Sequence, residues 1–141
     1  MPGDLPPGIH DISWDETERE YATNAVRMGQ FEGAREAAEC LYAAGIETVI
    51  LGGEFVSSID SPERFVMLLD ASGIDWDTVD ECGPEIGSIG PRPFDSQELR
   101  FGGRFRVHVG PDDEFGDLLD LELRDAYGTR VGALRLASPY K

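Results

Sequence analysis

The sequence predicts an α+β fold, because two apolar runs with the length of strands follow an amphipathic helical pattern. ETVILGG (47–53) and RFVMLLD (64–70) are almost wholly apolar, as in strands that are covered on both faces. The order of helix, strand, loop and strand is typical of α/β or α+β domains rather than helical bundles. We expect residues 47–52 and 65–69 to be adjacent central strands of one domain that spans residues 1–141.

The N-terminal segment combines an extended arm with a short helix. GDLPPGIHD is rich in proline and glycine, so an extended arm is predicted over about residues 1–12. Ser13 with Glu16 three residues later is a capping-box pattern. A short helix is therefore predicted to begin at Trp14.

A longer helix is predicted from its N-cap at Asn24 to about Ala44, packed on the sheet. Gly45 follows at the position where a helix C-terminus favours positive φ. The pattern is amphipathic, since the apolar and charged residues recur at helical spacing on different faces. The apolar face carries Phe31, Ala34, Ala38, Leu41 and Tyr42, and the polar face carries Glu32, Arg35, Glu36 and Glu39.

The C-terminal half is less regular. DWDTVDEC (75–82) predicts one more helical turn, and GPEIGSIGPRPFDSQ (83–97) predicts a long surface loop that lacks the Lys-Ser/Thr of a Walker loop. RFRVHV alternates polar and apolar residues, which predicts a half-buried strand, and RVGALRL predicts a closing strand. Residues 113–123 fit either a helix or a strand.

The charge of the chain restricts its partners. Twelve basic and 28 acidic residues give a net charge of −16 and a pI near 4.3. Such a field repels phosphate, so we expect no direct DNA binding and no contact with an anionic membrane. Three interpretations stay open: a highly soluble protein, a partner of a basic protein, and a mimic of nucleic acid.

The cysteines and the absence of targeting signals predict a cytoplasmic protein. Cys40 and Cys82 form no CxxC pair and are too few for a disulfide framework, which indicates a reducing compartment. MPGDLPPGIH contains no signal-peptide pattern, and no stretch is long and apolar enough to span a membrane. His10 and His108 are far apart in the sequence, and no zinc pattern joins them to the cysteines.

The order LPPGIHD, helix, strand and GGEFVSS…SPERF resembles an uncharacterised bacterial family of nucleotidyltransferase-like proteins. Members commonly open with LPPGIH, and many carry a glycine-serine pair followed by an aspartate pair. The resemblance extends into RFGGRF and, more weakly, into RDAYGTRVGALRL, so it covers most of the chain. It implies a mixed sheet flanked by helices, a glycine-serine turn that grips nucleotide phosphates, and aspartates that bind magnesium.

On that pattern this chain has lost the residues that perform the chemistry. Glu54 stands where serine is expected, and Arg64 and Val66 stand where the aspartate pair is expected. A carboxylate at 54 repels phosphate by about 1–4 kcal/mol at 4 Å, and valine cannot ligate a metal. The resemblance thus implies a degenerate nucleotide site, with no metal and no assigned catalytic residue, at Gly52, Gly53, Glu54, Ser57 and Arg64.

We therefore expect a non-catalytic acidic binding or regulatory protein, comparable to an antitoxin or an immunity protein, that needs no cofactor. Its partner is expected to be a protein, in particular a basic one, bound through the acidic segments 75–81 and 112–122. A local basic zone lies between these segments, at Arg92, Arg100, Arg104 and Arg106, and the favoured interpretation pairs it with acidic residues of the same chain.

Two alternatives remain open. The first is an active nucleotidyltransferase that binds Mg²⁺ and nucleotide through a displaced carboxylate set, and the second is an acidic decoy of nucleic acid. The displaced set would contain Asp60 and Asp70, with Asp120 or Glu122 as further ligands.

Overall fold

The computed structural model describes residues 8–56, 62, 64–70, 74–83, 86, 97, 101–108 and 132–137, with only the backbone for Glu54, Val107 and His108. Over these residues the fold is α+β, with three helices and one mixed sheet of five strands. The helices are α1 (Trp14–Tyr21), α2 (Ala25–Ala43) and α3 (Trp76–Cys82). The strands are β1 (Gly8–Asp11), β2 (Thr48–Gly53), β3 (Phe65–Asp70), β4 (Gly103–His108) and β5 (Gly132–Ala137).

The capping residues define where the first two helices begin, as the sequence predicts. The hydroxyl of Ser13 accepts a hydrogen bond from the backbone N–H of Glu16 at 3.1 Å, which starts α1 at Trp14. The side chain of Asn24 accepts from the N–H of Arg27 at 2.9 Å and starts α2. Gly45 follows α2 with a φ of +111°.

The sheet has the strand order β1-β5-β2-β3-β4. β2 pairs antiparallel with β3 and with β5, and this confirms that the two apolar runs are adjacent strands. β1 is parallel to β5, and β3 is parallel to β4. Part of the segment predicted as an arm is thus a strand, because residues 8–11 pair with residues 132–135 near the other end of the chain.

The two faces of the sheet differ in what covers them. One face packs against the described helices, where Leu51 and Met67 join Phe31 and Leu41 of α2 in the main core. The opposite face carries a small apolar cluster of Ile50, Leu68 and Ala133, with Ile9 and Val66 packed against it. Both β2 and β3 therefore bury residues on two faces, which is why their sequences are continuous apolar runs.

The segment 83–97, which the sequence analysis places at the surface, contributes three buried residues. Gly83 and Ile86 are buried, and the side chain of Gln97 is 2% exposed. The amide of Gln97 donates to the backbone oxygen of Ile86 at 3.1 Å and accepts from the N–H of Phe105 at 2.9 Å. The surface prediction is wrong for these three residues, because Gln97 supplies hydrogen bonds that keep a buried backbone satisfied. The residues 113–123, which fit either helix or strand, lie outside the described residues.

One disulfide joins two helices. Cys40 of α2 is bonded to Cys82 of α3, and their Cα atoms are 6.0 Å apart. The expectation that these cysteines indicate a reducing compartment is contradicted, since disulfides are rare in such compartments. The bond was not predicted because the cysteines are 42 residues apart and in no recognisable motif. It ties the short helix α3 to the end of the long helix that packs on the sheet.

Candidate functional site

The glycine turn at the end of β2 is the centre of the candidate site. Gly52 is buried, whereas Gly53 is exposed and has a φ of +79°, a conformation that favours glycine. A Cβ added at Gly53 would lie 3.0 Å from Cγ2 of Val66 on the neighbouring strand. A short 3₁₀ turn, Glu54–Val56, follows directly. The backbone itself therefore requires glycine at 53, independently of any ligand.

The strand register brings the predicted site positions to one end of the sheet. Gly52 pairs with Val66 and Gly53 pairs with Phe65, where the ladder ends, so residues 54 and 64 are the first positions beyond it on the two chains. The Arg64 side chain is half-buried. We predict that the side chains of Glu54 and Arg64 pair, because both positions lie at this end of the sheet. Only the backbone of Glu54 is described, and Ser57 lies outside the described residues.

Two arginines of β4 share the sheet face with the predicted metal positions. In the parallel register Arg104 pairs with Val66 and Arg106 pairs with Leu68. Strand alternation puts these four side chains on one face of the sheet, and position 64 continues the same alternation. Both β4 arginines are half-buried. At the two positions where the resemblance places magnesium ligands, and beside them on β4, this face thus carries guanidinium and apolar groups.

Of the displaced carboxylate set, the structure describes Asp70 alone. Asp70 ends β3 on the same face as Val66, in register with His108 of β4. Asp60, Asp120 and Glu122 lie outside the described residues, as do Arg92 and Arg100 of the predicted basic zone. Within the described ranges, no group of three or more His, Cys, Asp or Glu side chains is arranged to hold a metal ion.

A buried arginine of α2 holds the 3₁₀ turn in place. Arg27 is fully buried, and its Nη1 donates to the backbone oxygen of Phe55 at 2.7 Å and to that of Tyr21 at 3.3 Å. The guanidinium also lies 5.8 Å from the centroid of the Phe55 ring. Sequence reasoning missed this residue because a charged side chain is rarely buried.

A second polar side chain of α2 holds the other end of the same segment. Gln30 is 7% exposed, and its Nε2 donates to the backbone oxygen of Pro62 at 2.6 Å. Arg27 and Gln30 are three residues apart, so they lie on one face of the helix with the core residue Phe31. This spacing was the signal that the sequence offered. Arg27 and Gln30 lie on the same helix face as Phe31, which is the first buried apolar residue of α2.

The predicted acidic partner surface is described only in part. In α3 the side chains of Asp77, Asp80 and Glu81 are exposed. Asp75 is used as the N-cap, since it accepts from the backbone N–H groups of Asp77 and Thr78. The hydrogen bond from the Thr78 hydroxyl lowers the pKa of the Asp75 carboxyl most strongly. The second acidic segment, 112–122, lies outside the described residues.

The comparisons with known proteins give one match. A family model that is described as "Family of unknown function (DUF6932)" matches residues 1–114. The matched range contains α1–α3 and β1–β4, and it ends before β5. No curated protein and no solved structure matches the chain significantly. No helix in the described ranges combines the length and apolar character that crossing a membrane requires.

Proposed function

Because the chain belongs to DUF6932, a family of unknown function, we propose its role from the site itself. The protein is a non-catalytic, acidic binding or regulatory protein on a nucleotidyltransferase-like fold. It acts by binding a basic protein, in the manner of an antitoxin or an immunity protein.

The observation that carries this proposal is the chemistry of the β3–β4 face. Magnesium requires oxygen ligands, and Val66 offers none at a position where the resemblance expects an aspartate. Arg64 repels a cation at the other expected position, and Arg104 lies in register beside Val66. Two-metal nucleotidyl transfer depends on carboxylates that hold both ions at the reacting phosphates. This face supports binding without that chemistry.

The frame around the site supports the relationship to nucleotidyltransferases. β2, the glycine turn and β3 follow each other as an antiparallel pair, which is the arrangement that the resemblance implies. Arg27 and Gln30 of α2 fix Phe55 and Pro62, at the two ends of the segment after the turn. The frame is thus held by buried hydrogen bonds, whereas the residues expected to perform the chemistry are substituted.

The charge supports a basic protein as the partner. A net charge of −16 on 141 residues favours encounter with a cationic surface and disfavours polyanions. We expect the rate of association with such a partner to fall steeply as salt is added, since long-range attraction is screened. A partner whose association rate does not respond to salt would contradict this assignment.

Calorimetry with magnesium and nucleoside triphosphates tests the loss of the metal site. The unmodified protein is expected to bind neither, and the variant E54S/R64D/V66D is expected to gain magnesium-dependent nucleotide binding. A matched control is E20S/R19D/V26D, which makes the same three exchanges on exposed residues of α1 and α2. The control should bind no nucleotide, and circular dichroism of all three proteins should show the same fold.

An activity assay tests the alternative that the protein is an active nucleotidyltransferase. If the unmodified protein transfers a nucleotidyl group, and D60A or D70A abolishes the transfer, the chain is an enzyme with a displaced carboxylate set and the binding proposal is wrong. The position of Asp70 favours this alternative, since its carboxylate lies on the face that carries Val66.

A further inference from the structure

Two adjoining clefts form a groove along α1 and α2. Their volumes are about 680 Å³ and about 240 Å³. Arg35 and Glu39 line both clefts, so the two make one continuous surface, which we name the α1–α2 groove. The larger cleft alone falls within the range of about 300–1,000 Å³ that binding sites occupy.

The groove carries an excess of negative charge. Seven carboxylates and two guanidinium groups line it, which leaves a formal charge of −5. Both guanidinium groups are already paired: Arg35 lies 3.6 Å from Glu39, and Arg135 lies 2.6 Å from Asp11. Among the other carboxylates of the lining, Asp15, Glu16, Glu18 and Glu32 are the ones that attract a cation.

The groove also has an apolar floor, which distinguishes it from an evenly charged surface. Trp14 and Phe31 line the larger and the smaller cleft respectively, and their rings pack edge to face with centroids 5.9 Å apart. Met28 lines the smaller cleft and packs against the core. The indole N–H of Trp14 is satisfied by the hydroxyl of Tyr42 at 3.1 Å. Both rings are buried, and the apolar surface that a ligand meets between the carboxylates belongs to Ile12, Met28 and Ala137, which are partly or fully exposed.

We infer that the α1–α2 groove is the surface that binds the partner, and that its occupant is a segment rich in lysine and arginine that also carries apolar side chains. This inference rests on the proposed function and names the surface of that interaction. Cationic side chains complement the carboxylates, and apolar side chains complement Ile12, Met28 and Ala137. The exposed acids of α3 line neither cleft, so the two acidic surfaces can be separated by substitution.

Fluorescence anisotropy with a labelled peptide tests the groove directly. The probe is an amphipathic peptide of about 15 residues with lysine and leucine at helical spacing. The variant E16Q/E32Q, with one substitution in each cleft, should weaken its binding about threefold to fivefold, because two local attractions are lost. The matched control D80N/E81Q removes two exposed carboxylates of α3 and should weaken binding by less than about twofold.

Arginine substitutions provide a test with the opposite sign. Arg35 is the cation shared by the two clefts, so R35Q should tighten binding of the peptide about twofold. Arg19 is exposed in α1 and lines neither cleft, and R19Q changes the net charge by the same amount. The R19Q protein should bind the peptide like the unmodified one.

Three results would overturn the inference. The first is equal weakening by E16Q/E32Q and D80N/E81Q, which means that net charge alone attracts the peptide. The second is equal affinity of R35Q and R19Q. The third is undiminished binding of a peptide in which every leucine is replaced by serine. Nucleotidyl transfer by the unmodified protein would refute the proposed function without changing any of these three comparisons, so the two failures are distinguishable.

Discussion

The guanidinium of Arg27 and the backbone oxygen of Phe55 are joined by a fully buried hydrogen bond of 2.7 Å. The bond links the first turn of α2 to the 3₁₀ turn that follows the glycines of the candidate site. The same nitrogen also donates to Tyr21 at 3.3 Å, so one side chain satisfies backbone oxygens from two separate segments.

Replacing this arginine should destabilise the protein strongly. In R27M the side chain keeps much of its length, but Phe55 and Tyr21 lose this donor in a buried setting. We expect the free energy of unfolding in urea to fall by about 2–4 kcal/mol. R35M, on the exposed face of the same helix, should change it by less than about 0.5 kcal/mol. Equal stability of the two variants would show that the buried contact contributes nothing.

Two glycines of α2 should respond in opposite ways to alanine. A Cβ on Gly29 meets no atom within 4 Å, so G29A should stabilise the helix by about 0.5–1 kcal/mol. A Cβ on Gly33 would lie 1.7 Å from the backbone oxygen of Phe101, and G33A should cost about 3 kcal/mol. Thermal unfolding of both variants measures this difference. A G33A protein as stable as G29A would mean that α2 does not approach Phe101 so closely.

The disulfide should make stability depend on reductant. The Cys40–Cys82 bond closes a loop with a sequence separation of 42. Restricting such a loop in the unfolded chain stabilises the folded state by about 4 kcal/mol in the chain-entropy model. A thiol reductant should therefore lower the midpoint of urea unfolding, and C40A/C82A should show the lower midpoint with or without it. An unchanged midpoint for the reduced protein would contradict the prediction.

Tyr42 should make the protein sensitive to alkaline pH. Burial raises the pKa of its hydroxyl to about 12, while the hydrogen bond from Trp14 acts in the opposite direction. The unfolded chain then loses this proton near pH 10, before the folded chain does. The stability that Tyr42 contributes is thus complete below about pH 10 and is lost as the pH rises through about 12.

The variant Y42F isolates this contribution. It should reduce the decline in unfolding free energy between about pH 10 and pH 12, and it should cost about 1–2 kcal/mol at neutral pH. The neutral cost arises because the hydroxyl also donates to the backbone oxygen of Leu136 at 2.8 Å. Burial also raises the pKa of the Tyr21 hydroxyl, so Y21F serves as the comparison that separates the two buried tyrosines. An unaltered alkaline decline in Y42F would assign it to other groups.

The parts of the fold that depend on neighbouring residues were predictable. Ser13 and Asn24 cap their helices through backbone groups three residues away, and such local contacts are visible in a sequence. The apolar runs around 50 and 67 identified β2 and β3, because strands buried on both faces carry few polar residues. The sequence signal was strong wherever the physical cause was local.

The features that depend on distant partners were not predictable in the same way. β1 is a strand because residues 132–135 pair with it, and the sequence of residues 8–11 does not indicate that partner. Arg27 is buried because its nitrogen reaches Phe55, 28 residues away. The Cys40–Cys82 bond likewise follows from how α3 packs on α2. At the candidate site, the sequence located the glycine turn but not the side chains of α2 that hold it.

The pairing of β1 with β5 has a consequence for how the chain is made. Asp11 and Arg135 are 124 residues apart, yet they lie in register, and β5 separates β1 from β2 in the sheet. A ribosome adding about 5–20 residues per second leaves several seconds to tens of seconds between these two strands. During that interval the residues of β1 and one edge of β2 lack β5, the strand that pairs with both of them. Completion of the sheet therefore waits until β5 has been synthesised, and during this period the unpaired edges are exposed to misassociation.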